Sequence, residues 1–266
     1  MRHFYQEFYR LVPHSTAHAE FCERVFGRDL AQHGFTDVAQ LDRLIAELAL
    51  QPGDRALDVG CGTGLIAEYL ADRTGAHVTG IDYIPLAIDV ANQRVGARRA
   101  TTQTDRLEFL VGDINALDLP AGRFDAIVSI DSIYFSDDYA RTIGQWRRAL
   151  RPGGRMGIYF GHGRAGRVGP DPFDPATLEP DRTPLADALV ANGLRYAVTD
   201  VTAEDYRLAC SRLEILPTLH ARFLAESIGF VYENRIAKSA GIRESVQEGM
   251  HRRYLYRVQL DAETEG

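Results

Sequence analysis

Between Arg55 and Phe160 the chain alternates short apolar runs with longer segments of helical spacing. RALDVG leads into LIAEYLADRTG, HVTGID into PLAIDVANQRVG, and FDAIVSI into DDYARTIGQWRRAL, while LEFLVGD and RMGIYF add two more short runs and RPGG reads as a turn. Short apolar runs bounded by turn residues read as buried strands, and apolar positions at i, i+3 and i+4 read as helices. Pro85 suits a first helical turn. Strands alternating with helices of this length predict βαβ units and a mostly parallel sheet. Ahead of this core, AHAEFCERVFGRDLAQ and DVAQLDRLIAELAL carry amphipathic spacing. Behind it, the Gly- and Pro-rich GHGRAGRVGPDPFDPATLEP reads as a loop, TPLADALVANGL as a helix and RYAVTDVT as a strand. A mainly helical stretch then precedes a final strand, RRYLYRVQL.

The pattern divides the chain into an N-terminal helical lid (1–54), a core (55–202), a helical cap (203–250) and a last core strand with its tail (251–266). A helical insertion before the last strand of such a sheet lies over the carboxyl edge, where ligands bind in this architecture. No repeat period runs along the chain, which argues against a solenoid.

Charge narrows the partners. The 266 residues carry a net charge of −7 and no long run of like charges, so nucleic acid or an anionic membrane is a poor expectation. The local basic patch HRRYLYR reads as a solvated strand edge. Cys22, Cys61 and Cys210 form no C-x-x-C pair, which supports neither a zinc site nor a disulfide framework and points to the cytoplasm. No apolar run is long enough to span a membrane, and MRHFYQEFYR is too polar for a secretory leader. His14, His18, His220 and His251 lack metal-ligand spacing, so no metal is expected.

The candidate chemistry starts at Asp58-Val-Gly60-Cys-Gly62-Thr-Gly64. A dinucleotide fingerprint would need its third glycine at position 65, which is Leu65 here. A strand-end carboxylate beside bare backbone suits a ligand with a cationic amino group better than a pyrophosphate. This run resembles the first motif of the class I S-adenosylmethionine-dependent methyltransferases. The similarity continues in register from Arg55 to Phe160: Asp82 lies 18 positions after Gly64, and GDINALDLP, FDAIVSIDSIYF and LRPGGRMGIYF match the family's later landmarks.

The resemblance implies an α/β fold, a three-layer Rossmann-like seven-stranded mostly parallel sheet with the lid and cap already described, and S-adenosyl-L-methionine as cofactor. It puts Asp58, Gly60, Gly62 and Gly64 beside the methionine and ribose portion, Asp82 on the ribose hydroxyls, Asp113 on the adenine amino group and Ile114 against the ring. Cys61, Tyr83 and Ser129 complete the expected cofactor contacts, with His33 from AQHGFTD, a segment similar to one that lies against the cofactor in small-molecule relatives. In the family geometry Asp131 and Tyr134 face the transferred methyl, Asp131 orienting the substrate or taking its proton, and His162 is the best-placed histidine for a base, with a satisfied loop histidine as the alternative. IDSIYF departs from the N-P-P-Y motif of enzymes acting on planar nitrogens and resembles small-molecule methyltransferases, so the expected acceptor is a small molecule methylated at O, N or C. Tyr5 and Tyr9, four apart, either close over the site or pack as core; Tyr206, Arg207 and Arg212 either meet an acidic acceptor or form a solvated helix face. An enzyme using the same cofactor without methyl transfer, a silent scaffold and a homodimer stay open.

Overall fold

The computed structural model describes residues 2–102, 106–164 and 173–262. Three helices come first, α1 (Arg2–Leu11), α2 (Thr16–Phe26) and α3 (Val38–Leu48). There follow β1 (Arg55–Val59), α4 (Leu65–Thr74), β2 (His77–Asp82), α5 (Pro85–Thr102), β3 (Leu107–Val111), β4 (Phe124–Ile130), α6 (Tyr139–Ala149) and β5 (Leu150–Gly163). The chain continues through α7 (Pro184–Ala191), β6 (Tyr196–Asp200), α8 (Thr202–Ala225), α9 (Gly229–Gln247) and β7 (His251–Gln259). The strands form one seven-stranded sheet in the order β3-β2-β1-β4-β5-β7-β6. β7 runs antiparallel to both neighbours, and the other pairs are parallel. The fold is thus the expected α/β sheet, with α8 and α9 between β6 and β7.

Local chemistry explains the helix starts. Ser15 accepts the His18 amide, Asp37 and Gln40 form a reciprocal capping box, Asp138 accepts the Arg141 amide, and Thr183 accepts the Ala186 amide ahead of Pro184. The central strands are apolar on both faces because helices cover both. Leu57, Ile127, Met156 and Ile158 pack with fully buried Trp146 of α6 on one side, and Ala56, Val78, Ala126 and Tyr159 pack under α4 and α5 on the other. A third core joins the chain's two helical regions: Phe8 and Phe21 pack with Leu208, Leu216, Phe223 and Val231. Each such side chain contributes about 1.5–3 kcal/mol by leaving water, so α1 is part of a core as well as a cover.

Two sequence expectations need correction. RPGG lies inside β5: Phe124 pairs with Leu150 but Ala126 with Arg155, and the irregularity is accommodated by Gly153 at φ +73°. HRRYLYR is no solvated edge. β7 is interior, paired on both sides, and His251 and Arg253 are buried. Of the loop predicted after Phe160, residues 165–172 lie outside the described residues, and β5 takes its first part as far as Gly163. No helix among the described residues is long and apolar enough to cross a membrane.

Candidate active site

The strand order reverses between β1 and β4, and a crevice opens at such a switch point beyond the carboxyl ends of the strands. Asp58 sits next to the end of β1, paired with Gly80 and Val128, and is buried. Among the described residues its Oδ2 has no hydrogen-bond partner. Burial, together with the nearby Asp82 charge, pushes its pKa up to about 7. After it the chain makes the left-handed turns that glycine permits, at Gly60 (φ +80°), Gly62 (+55°) and Gly64 (+79°). A side chain at Gly60 would collide with Ser132, and one at Gly64 would stand 2.5 Å from the Phe109 ring.

The loop is held by backbone bonds. The Gly60 and Cys61 amides donate to the Ile81 carbonyl at 2.7 and 3.0 Å. The Gly62 amide donates to Asp82 Oδ2 at 2.9 Å, and the Ile84 amide to Asp82 Oδ1 at 2.9 Å. Asp113 caps its own turn by accepting the Asn115 amide at 2.9 Å. These groups form one wall of a cavity of about 370 Å³, with Gly60 to Thr63, Asp82 to Ile84 and Gly112 to Asn115 on the sheet side.

The N-terminal region supplies the opposite wall, with Tyr5, Phe8 and Tyr9 of α1 and residues 30–34 and 36. Tyr5 and Tyr9 stack with centroids 5.9 Å apart, and the Tyr5 hydroxyl lies 3.3 Å from His33 Nδ1. Burial, reinforced by the neighbouring Lys238, Arg235 and Arg212 charges, drives the His33 pKa well down, so the ring is neutral. Burial pushes Tyr5 up to about 12, so it keeps its proton. Arg2 donates to the Tyr83 hydroxyl at 3.2 Å and lies over its ring.

Asp131 ties the two walls together. It adopts φ +54°, and its Oδ2 accepts the Phe35 amide at 2.7 Å and the Thr36 hydroxyl at 3.2 Å. Its Oδ1 accepts from Arg253 at 2.8 Å, and Arg253 also reaches the Phe35 carbonyl at 2.6 Å. A side chain at Gly34 would overlap the Asp131 carboxylate. Burial pulls the Asp131 pKa upward, but Arg253 and the Phe35 amide outweigh it and leave the carboxyl below its ordinary value.

Residues 57–158 match the family model described as a methyltransferase domain. Over that segment the core is similar to methyltransferase domains. The chain is 34% identical over 152 residues to 27-O-demethylrifamycin SV methyltransferase of Amycolatopsis mediterranei, covering 53% of this chain and 54% of that protein. It thus spans about half the length of this curated relative, and less of a sterol 24-C-methyltransferase of Gibberella zeae, of which it covers 35%. Among solved structures, the (4+2)-cyclase SpnF superposes with a TM-score of 0.70 at 21% identity, covering 98% of this chain and 96% of that one. Geranyl diphosphate C-methyltransferase of Streptomyces coelicolor, solved with S-adenosyl-L-homocysteine, gives 0.64 at 20% identity, over 83% of this chain and 78% of that one. At these identities the two structures show a shared fold.

The fold brings Gly60, Cys61, Gly62, Asp82, Tyr83, Asp113, Ile114 and Asp131 of the core, and His33 of the N-terminal region, to the cavity wall. Other expected site residues stand apart from it. Asp58 and Gly64 lie directly behind the wall. Ser129 is buried, with its hydroxyl 2.8 Å from that of Ser132. Tyr134 accepts the Gly161 amide and stacks on Phe160. His162 lies within β5, not in a loop after it, with Nε2 2.9 Å from the Thr177 hydroxyl. Neither lines the cavity; both rings stack on Phe160 instead. The pocket fits the cofactor on its own chemistry: each Asp82 oxygen has spare lone pairs beside the glycine loop, and behind that loop Asp58 keeps an unmatched oxygen among the described residues.

Sequence reasoning missed Arg253, Arg235 and Lys238, since a lone basic residue in a strand or helix carries no motif. It also missed His18, Cys22 and Asp29, whose ligand atoms lie within 4.8 Å of one another. The i, i+4 spacing of His18 and Cys22 was a usable signal. Arg235 at 2.6 Å from His18 Nε2 makes the place unfavourable for a cation.

Proposed function

We propose that the chain transfers a methyl group from S-adenosylmethionine to the O, N or C of a small-molecule acceptor. The observation that carries this reading is the two-walled cavity at the switch point, with cofactor-type carboxylates on the sheet side and aromatic rings on the helical side. The bound cofactor supplies a methyl group on a positively charged sulfur. In this reading Asp58 holds the cofactor's amino group, Asp82 the ribose hydroxyls, and Asp113 with Ile114 the adenine. Tyr5, Tyr9 and neutral His33 present π-faces without positive charge, which suits a sulfonium neighbour. Asp131, its oxygens taken by Phe35, Thr36 and Arg253, fixes the residue 34–36 wall and leaves proton removal to other groups. Orientation within a closed cavity supplies about 7–11 kcal/mol in favourable cases. The curated relatives are named for methylating small molecules, which supports the acceptor class. The three cysteines are free, in keeping with a cytoplasmic setting.

Calorimetry with S-adenosylhomocysteine, S-adenosylmethionine and NADH tests the cofactor. Binding of both sulfur ligands and not NADH is expected, and failure of both overturns the reading. A second reading, the same cofactor serving a reaction without methyl transfer, draws on one observation: Tyr134 and His162 lie off the cavity and Asp131 is engaged. Mass spectrometry of products separates the two, since methyl transfer yields S-adenosylhomocysteine and a methylated product together.

A further inference from the structure

α9 turns one stripe of residues inward: Val231, Arg235, Ser239, Ile242 and Ser245 are buried. Lys238 lies on that stripe, seven residues from Val231 and from Ser245, where helical geometry points side chains the same way. Yet Lys238 is exposed. A cationic side chain on the inward stripe that still meets water marks an accessible space beneath α9. Its ammonium is 5.7 Å from the Phe35 ring centroid, and Gly34 and Thr36 on either side of Phe35 line the cofactor cavity. The space therefore adjoins that cavity.

Charge around this space is lopsided. Arg253 takes up both nearby carboxylates, Asp131 at 2.8 Å and Asp205 at 3.5 Å. Arg212 is fully buried with its guanidinium carbon 3.9 Å from the same Phe35 ring, and all three of its side-chain nitrogens lack a hydrogen-bond partner among the described residues. Arg235, also buried, meets only uncharged acceptors among the described residues, the Gln32 carbonyl and His18. Lys238 has no hydrogen bond or ion pair among the described residues. Crowding by surrounding protein draws the Lys238 amine down to about 8 against the pull of Asp131 even though the side chain still meets water, and full burial lowers Arg212 in the same sense. Unpaired buried cations are costly, and an anion brought by a ligand offsets that cost.

We propose that Lys238, backed by Arg212, forms an anion subsite that receives a carboxylate or phosphate group of the acceptor. Lys238 Nζ donates to the anion directly, and Arg212 acts through its field across the Phe35 ring. Placing the acceptor here rests on the methyltransferase reading of the adjoining cavity, whereas the charge surplus does not depend on it.

Calorimetric titration of the full chain with phenylacetate, phenyl phosphate and phenylacetamide, with and without S-adenosylhomocysteine, tests the subsite. One anion is expected to bind roughly tenfold tighter than the neutral amide, and the preferred anion tells carboxylate from phosphate. The preference should vanish in Lys238→Met and survive in Lys238→Arg, with unchanged melting temperatures showing that both variants fold. Equal affinity for the three probes, no binding of either anion, or a preference that survives Lys238→Met overturns the proposal. An anion preference without any binding of S-adenosylhomocysteine overturns the cofactor reading and leaves the subsite standing.

Discussion

The two walls of the cavity are held in opposite ways. On the sheet side, carboxylates grip nearby backbone: Asp82 binds the Gly62 and Ile84 amides, and Asp113 binds the Asn115 amide. On the helical side, long cationic side chains reach across the chain: Arg235 to the Gln32 carbonyl, and Arg253 to Phe35, Thr36 and Asp131. The first wall is assembled by turns next to the strands that carry it, so it forms with the sheet. The second exists only once segments about 200 residues apart have docked. A cofactor common to many enzymes suits the first arrangement, and an acceptor peculiar to one suits the second.

The sharpest way to break the comparison is to remove the cation that ties the helical wall down. Arg253→Met strands Asp131 in the interior without its cationic partner and leaves Asp205 with only His251, 2.8 Å away. Stability should fall by about 3–5 kcal/mol, read from urea unfolding. A loss below about 1 kcal/mol would mean that the buried carboxylates find other partners and that the wall does not hang on this residue. Asp82→Ala attacks the other wall. It frees two amides that a charged acceptor holds, each worth about 1.5–3 kcal/mol, and removes the proposed ribose contact. Affinity for S-adenosylhomocysteine should drop roughly a hundredfold with a smaller loss of stability, and unchanged affinity by calorimetry would contradict the ribose assignment.

The same contrast explains what could be read from the sequence. The sheet wall was legible because its contacts are short-range and leave motifs: glycines whose left-handed turns no other residue makes easily, and carboxylates at or near strand ends. The strand alternation announced the sheet for the same reason, as each βαβ unit is local. The helical wall was not legible. Nothing in HRRYLYR distinguishes the buried Arg253 from the half-exposed Arg252; only pairing with β5 and β6 on either side does. Arg212 read equally well as a solvated face, and Phe8 showed its place in a core only when α8 and α9 packed against it. His162 illustrates the opposite error: a residue just beyond a predicted strand end turned out to be inside a longer strand.

Asp58 sharpens the comparison through pH. Its folded pKa is raised from 3.8 to about 7, so its effect on the free protein favours folding below the unfolded value and is lost as pH rises through about 7. Cofactor binding should run the other way, because a cationic amino group needs the ionised carboxylate. Affinity should strengthen by up to about tenfold per pH unit below 7 and level off above it, with up to one proton released. Calorimetry in buffers of different ionisation enthalpy reads that proton, and Asp58→Asn should flatten the profile. A flat profile in the unmodified protein would remove Asp58 from the cofactor's charge.

The smallest effect should come from His162. Its ring stacks on Phe160 with centroids 5.9 Å apart and an interplanar angle of 12°, and its Nε2 meets the Thr177 hydroxyl. Neither Phe160 nor Thr177 lines the cavity that holds Asp82 and Asp131. His162→Ala therefore removes a stacking contact worth about 1 kcal/mol and should lower the melting temperature slightly. Turnover, followed as S-adenosylhomocysteine release with an acceptor found by product analysis, should change by less than about threefold. A base that removes a proton in the transition state contributes about a hundredfold or more. A loss of that size with an unchanged melting temperature would mean that the β5 end swings toward the acceptor during turnover, and that the sheet carries the chemistry as well as the cofactor.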